Sequence, residues 1–160
     1  MANDSAQSDV AAALARIPSG CSILTVDGPA GRTGMLVSWV QQAGFDPPAI
    51  SVAVRKNRPV EGLIDAAGAF AVNLLGENPS SMFRHFGKGF GAGEDAFAGL
   101  TTRTVPGGVL LDDAIATLQC RVAGKHDAGD HWIYFGHVRA AAADSDARPY
   151  VHLRKNGLGY

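Results

Sequence analysis

Arg55, Lys56, Asn57 and Arg58 follow one another directly at the end of an apolar run, AISVAV. Three cations and an amide in four residues can approach one phosphate from several directions, and charge-assisted hydrogen bonds are among the strong ones. Pro59 comes next, a residue tolerated in a first helical turn because its missing N–H has no partner there. A helix starting at this point aims free N–H groups at the same spot. Taken alone, the four residues are also what a solvated basic turn contains. Ser38 and Trp39 end an earlier apolar run, TGMLVSWV, so a hydroxyl stands beside a large flat ring. Such a pair suits a ring-edge carbonyl or a phosphate, although a lone Trp is more often core. Apolar strands opening into clustered donors fit a ligand with a flat apolar body and an anionic tail.

Other chemistry-bearing stretches are weaker. In the loop Lys88-Gly89-Phe90-Gly91-Ala92-Gly93, Lys88 adds charge to an anion site and Phe90 can cover an aromatic ligand. Gly91 to Ala96 matches the G-x-G-x-x-A dinucleotide pattern but follows no strand, and Glu94 and Asp95 would repel a pyrophosphate. His131 stands in a turn, Gly129-Asp130-His131-Trp132, where it can meet a ligand at the mouth of a barrel. His126, Asp127, Asp130 and His131 lack a recognised ligand spacing, so an Asp–His turn contact is the simpler expectation than a metal. No G-x-S-x-G elbow, H-E-x-x-H pair or Walker loop is present. A binding pocket without acid–base or nucleophilic residues assigns the reactivity to a cofactor.

The elements that must position these residues read as short strands with a few helices. Asp9 caps a short helix ending near Ile17, with Val10, Leu14 and Ile17 on a face that packs on the domain; residues 1–8 are small, polar and loose. Ser19–Val26 and Thr33–Val40 form a hairpin about the turn cluster Asp27–Gly31. Gly34 inside the second strand marks either close approach of a ligand or backbone, or a bulge. Ala49–Val54 reads as a strand buried on both faces, followed by a helix from Pro59 to about Gly68. Ala69–Leu75 is another strand, in which Asn73 needs a partner. A short helix Ser80–Phe86 follows, then turns with a short edge strand between Leu100 and Val109. Ala114–Val122 and His131–Ala140 alternate as paired strands. The sum is a mainly β domain, a closed or nearly closed antiparallel barrel with helical insertions.

The chain has 160 residues, enough for one self-sufficient core. Its formal net charge of −1 gives no global field for nucleic acid or an anionic membrane, so any functional positive charge is local. Cys21 and Cys120 lie inside apolar runs and read as small buried hydrophobes. No apolar run spans a bilayer and the start lacks a secretory pattern, which makes the cytoplasm the default compartment.

The segments SGCSILTV, TGMLVSWVQQAGFDPPAISVAVRKNRPVEGL, FAVNLL, RHFGKGF, GEDAFAGL, ATLQCRV and GDHWIYFGHV together resemble the flavin reductase-like FMN-binding split-barrel family, from Ile17 to Tyr160. AVRKNRPVE, GEDAFAG, GDHW and the ending HLRKNGLGY make the chain most similar to the flavin reductase module at the C-terminal end of cyanobacterial-type flavodiiron proteins. The N-A-M or N-G-M start common in the family is here Thr33-Gly34-Met35, without the Asn side chain.

The resemblance implies a single domain over residues 1–160, a Greek-key-like split β-barrel that forms a homodimer and binds FMN, rather than FAD, at the barrel rim near the dimer interface. It implies that Thr33, Gly34, Met35, Ser38 and Trp39 run along the flavin ring, largely through backbone. Val54, Arg55, Lys56, Asn57 and Arg58 resemble the phosphate and ribityl segment. Lys88 to Phe90 resembles the closing loop, and His131 a position near the nicotinamide. The implied reaction is hydride transfer from NADH or NADPH to flavin N5, with electrons passed to oxygen, free flavin, a metal centre or a flavodiiron-like protein. No side chain is then catalytic, and neither a metal, a nucleic acid nor a membrane is a partner. The alternative is a flavin-binding electron-transfer module without its own NAD(P)H activity.

Overall fold

The computed structural model describes residues 2–91 and 93–159, the side chains of residues 2–6 aside. Its centre is a seven-stranded antiparallel sheet in the order β2-β1-β5-β8-β9-β4-β3. β1 (Ser22–Gly28) and β2 (Gly31–Val37) form one terminal hairpin; β3 (Val40–Phe45) and β4 (Pro48–Arg55) form the other. Between them lie β5 (Ala69–Leu74), β8 (Ala116–Asp127) and β9 (His131–Ala143). β6 (Thr102–Val105) and β7 (Gly108–Leu111) make a separate hairpin.

β2 and β3 occupy opposite edges of this sheet, yet only Ser38 and Trp39 separate them in sequence. A flat sheet of seven strands is roughly 29 Å across. Three Cα–Cα steps reach no more than about 11 Å. The sheet is therefore rolled until its edges approach. The hydrogen-bonded ladder nonetheless stays open, with β2 paired only to β1 and β3 only to β4. The expected closed or nearly closed barrel is thus rolled without being sealed. The strand read over Thr33–Val40 is two elements, because the chain leaves one edge at Ser38 and joins the other at Val40.

The rolled interior is filled by Leu24, Val26, Val52, Val54, Phe70, Val72 and Tyr134. α2 (Pro59–Ala67) adds Val60 and Ile64 to this core and stops at Gly68 in the left-handed region, φ 62°. β4 is buried on one face only: Ile50, Val52 and Val54 point inward, while the opposite positions Ala49, Ser51 and Ala53 stay half-exposed. The expectation of two buried faces fails because those outer residues are small, so the run looks apolar without being covered.

A second core lies outside β1, where α3 (Ser80–Phe86) and β7 pack with Cys21, Ile23, Leu75, Met82, Phe86, Phe97 and Val109. Asn73, fully buried, finds its partners here: its amide donates to Ile23 O (3.2 Å) and Val109 O (3.0 Å) and accepts from Leu111 N (2.8 Å). Thr25 Oγ1 also donates to Val109 O at 2.6 Å. These bonds sew β7 across β1 and β5 in place of a ladder. β6, with Arg103 and Thr104 exposed, is the short edge strand expected between Leu100 and Val109, while β7 after it is wholly buried.

α1 spans Ala2–Leu14, so the helix starts earlier than the Asp9 cap expected, and the stretch 1–8 is helical from Ala2 onward; Met1 lies outside the described residues. Val10 and Ile17 are 51% and 57% exposed, so their face does not pack on the sheet. α1 is met instead by the C-terminal arm, whose Gly157 N donates to Ala11 O at 3.0 Å. Among the described residues no helix is long and apolar enough to cross a membrane.

Candidate functional site

The gap left between the unpaired edge of β2 and the end of β4 opens into a cavity of about 460 Å³. Thr33 through Trp39 form one wall, and Ala53, Arg55, Arg58, Pro59 and Val60 form the facing one. Phe83, Phe86 and residues 87–90 close a third side from α3 and the loop after it, and Cys21 and His152 complete the lining.

Each wall has a local cause. β2 is an edge strand, so half of its backbone donors and acceptors have no strand to pair with and face the gap. Gly34 pairs regularly with Thr25, which rules out a bulge. A Cβ there would sit 2.7 Å from Phe86 Cε1 and 3.4 Å from Phe97 Cε1. The missing side chain lets α3 lie down on β2, which brings Phe86 to the cavity. Phe90 then packs on Phe86 (5.7 Å between ring centroids) and on His85 (5.4 Å), with Lys88 Nζ 5.1 Å from its ring. The far end of the loop is anchored by His85 Nε2 to Ala96 O (2.8 Å) and by Arg32 to Asp95 (3.1 Å). Ala92, within the expected lid, lies outside the described residues.

Of the expected site residues, Thr33, Gly34, Met35, Ser38, Trp39, Arg55, Arg58, Lys88 and Phe90 converge on this cavity. Val54 does not; it is fully buried on the inner face of β4, between Ala53 and Arg55, which point outward. Lys56 is drawn away, its ammonium 2.6 Å from Asp127 and 4.5 Å from the Trp132 ring. That ion pair, with the Gly129 N–H, holds the Asp127 carboxyl below its ordinary range. Asn57 makes the turn itself: its φ is +65°, a conformation Asn tolerates better than most side chains, and its N–H donates to Glu61 at 3.0 Å. The helix start contributes fewer donors than expected, because Pro59 has no N–H and Glu61 N already bonds Arg58 O at 3.0 Å.

His131 stands one layer back. It is 7% exposed, packs on Trp39 (4.9 Å between centroids), and its Nδ1 lies 2.8 Å from Asp130. This contact lowers the Asp130 carboxyl pKa. Asp127 and Asp130 are thus both engaged within the turn, and among the described residues no group of three His, Cys, Asp or Glu is placed to hold a metal.

Several cavity residues carried no warning in the sequence. Phe83 and Phe86 are three apart on one helix, a spacing that reads as core packing. Cys21 faces the cavity with its thiol pushed up to about 11 by burial, so it presents a neutral wall. His152 arrives on an arm fixed by long-range backbone pairing, with His152 N to Ser19 O at 2.7 Å and Ser19 N to His152 O at 3.1 Å.

The cavity has the size of small-ligand sites, apolar walls from Met35, Val37, Phe86 and Phe90, an unsatisfied strand edge, and cations at Arg55, Arg58 and Lys88. Those features fit a flat ring system with hydrogen-bonding edges and an anionic tail. The sequence and the fold are similar to those of known proteins. Over 159 residues the chain is 40% identical to diflavin flavoprotein A 1 of Synechocystis, covering 98% of this chain and 28% of that protein. The chain spans only 25–28% of the other curated relatives of this kind. The fold matches the NADH:FAD oxidoreductase SgcE6 of Streptomyces globisporus, with a TM-score of 0.82, 24% identity, and 91% and 86% of the two chains covered. It also matches the styrene monooxygenase flavin reductase of Pseudomonas putida, with a TM-score of 0.74, 24% identity, and 88% and 90% covered. Residues 14–157 match the family described as flavin reductase like domain, and the chain belongs to that family.

Proposed function

We propose that the chain binds FMN in the cavity beside β2 and is an NAD(P)H-dependent flavin reductase. The observation that carries the reading is the convergence in one 460 Å³ space of a free strand edge, the guanidinium-bearing turn and the aromatic loop. When bound, FMN supplies the redox chemistry, accepting a hydride from NADH or NADPH and passing electrons to oxygen, free flavin or a protein or metal partner.

The chain's own residues bind, orient and exclude water. Backbone groups of Thr33 to Met35 and the Ser38 hydroxyl meet the polar edges of the ring, while Met35 and Phe86 cover its apolar body. Arg55 and Arg58 hold the phosphate, with Lys88 adding charge from the opposite wall. Phe90 closes over the site and keeps water off the ring. Assembly as a homodimer belongs to the same proposal and is tested by sedimentation velocity.

Purified protein should be yellow or become so on adding FMN, and anaerobic stopped-flow mixing with NADH or NADPH should bleach the flavin band. A second reading, an electron-transfer module reduced only by a protein partner, draws support from relatives in which the matching stretch is 28% of a longer diflavin flavoprotein. It predicts a flavin band that neither nucleotide bleaches.

A further inference from the structure

We infer that the C-terminal arm carries the docking position for the reducing nicotinamide dinucleotide, through His152 and Arg154; the inference rests on the flavin reading above. Hydride transfer needs two ring systems and two anionic tails in one site. The phosphate end at Arg55 and Arg58 answers one tail, and the β2 edge answers one ring. His152 is a cavity-lining polar group brought by an element outside β2, the β4–α2 turn and the α3 loop. His131 does not line the cavity and lies against Trp39 and Asp130.

Arg154 supplies the second cation. Its guanidinium carbon is 4.6 Å from the centre of the Trp39 ring, and Trp39 lines the cavity. Its Nε–H is buried without a hydrogen-bond partner among the described residues. A guanidinium on an indole is stabilising, but a buried donor with no acceptor costs a comparable amount, so the contact is close to neutral. The other buried side-chain atom without a partner among the described residues is Ser19 Oγ, on the residue that pairs with His152. Both unsatisfied groups thus fall where the arm meets the body of the domain. Unsatisfied buried groups in a folded protein ask for an explanation. A small turn of the arm that brings Arg154 onto an anion provides one. His152 then bonds the carboxamide of the nicotinamide, and Arg154 the diphosphate of the same molecule.

The test uses the FMN-loaded full chain with His152→Gln, Arg154→Ala and Arg154→Lys. Flavin bleaching is followed against NADH and NADPH concentration, and FMN affinity is measured separately by fluorescence quenching. His152→Gln and Arg154→Ala should each raise the half-saturating nucleotide concentration about tenfold, the size of one charge-assisted bond at a partly wet site. FMN affinity of Arg154→Ala should stay within about twofold, and Arg154→Lys should recover part of the loss by keeping the charge. Unchanged half-saturation in both loss variants overturns the inference and leaves the flavin reading intact. FMN affinity falling in parallel with nucleotide affinity also overturns it, because the arm then serves the flavin or the fold. Wild-type protein that binds FMN but is bleached by neither nucleotide removes NAD(P)H activity itself, and this inference with it.

Discussion

Replacing Arg55 and Arg58 together by alanine should weaken FMN binding, while Lys56→Ala should leave it nearly unchanged. The three cations lie within four residues, so a purely long-range field would treat them alike. The structure separates them. Arg55 and Arg58 line the cavity and form no ion pair with a carboxylate among the described residues. Lys56 is spent on Asp127 at 2.6 Å and on the face of Trp132. A hydrogen bond to a charged group contributes about 1.5–3 kcal/mol when sheltered. Both arginines are exposed, and solvent and salt reduce this to roughly 1 kcal/mol each. The double variant should therefore lose about 2 kcal/mol, or roughly thirtyfold in Kd. Lys56→Ala changes only the background field and should cost less than about 0.5 kcal/mol.

The assay is quenching of flavin fluorescence, titrated at low and at high salt. The wild type and Lys56→Ala should share a salt dependence, and the double variant should show a shallower one because fewer charge contacts remain to be screened. A loss in Lys56→Ala of about half that in the double variant would refute the reasoning, since each cation would then count alike through net charge. An unaffected double variant would place the phosphate elsewhere.

Gly34→Ala inserts a Cβ 2.7 Å from Phe86, a ring 2% exposed and held by Phe90 and Phe97. Overpacking of this kind costs about 1–3 kcal/mol, so calorimetry should show Tm lowered by roughly 3–10 °C; an unchanged Tm would mean that α3 slides freely on β2. Asn73→Leu removes three bonds to β1 and β7 and takes its partner from Leu111 N–H, while Val109 O keeps its bond from Thr25 Oγ1. A loss of roughly 2–5 kcal/mol in urea unfolding is expected, and less than about 1 would show that the β6–β7 hairpin docks by apolar contact alone. Burial pushes the Cys120 thiol from 9.0 up to about 12 and the Tyr134 phenol from 10.0 up to about 12. The fold therefore keeps both groups protonated at pH values where the unfolded chain has released their protons. Their contribution is complete below about pH 9 and is lost as pH rises toward about 12, with at most about 4 kcal/mol at stake for Cys120 and about 3 for Tyr134, less where solvent reaches the groups. The urea midpoint should fall steadily over that window, and a flat profile would contradict the burial of these groups.

What could be read from the sequence was what neighbouring residues decide. The Asp27–Gly31 turn fixes the β1–β2 hairpin, Pro59 and Gly68 bracket α2, and Ser80–Phe86 appears as α3 with the expected bounds. Arg55 and Arg58 reach the cavity because they straddle the end of a strand and the start of a helix. What stayed hidden was set by distant partners. β3 has no local signature because Gln41, Gln42 and Ala43 are exposed on an edge strand and carry no apolar signal. Lys56 points away from its neighbours because Asp127, at the far end of β8, captures it. β7 has no local signature because its burial depends on Asn73 and Thr25, on strands more than thirty residues earlier. His152 enters the cavity through pairing with Ser19, which no local pattern announces.

The unsealed sheet is what makes a site of these residues. Had β2 joined β3 or β4 in a continuous ladder, its outward N–H and C=O groups would be consumed by a strand, and the apolar interior would have no polar rim. The Ser38–Trp39 link keeps the two edges near each other yet out of register, because Trp39 O accepts from Ala53 N at 3.0 Å at the far edge while Val37 still pairs with Ser22 at the near one. The space between is the cavity of about 460 Å³. α2 seals its inner side with Val60 and presents Arg58 at its mouth, and α3 seals its outer side with Phe86. An inserted residue between Ser38 and Trp39 would relax that spacing without touching any cavity side chain. It should lower FMN affinity while leaving urea stability nearly intact, since the cores that carry stability lie on either side of the link. Unfolding of such a variant, or retention of full affinity, would show that the link does not set the width of the gap.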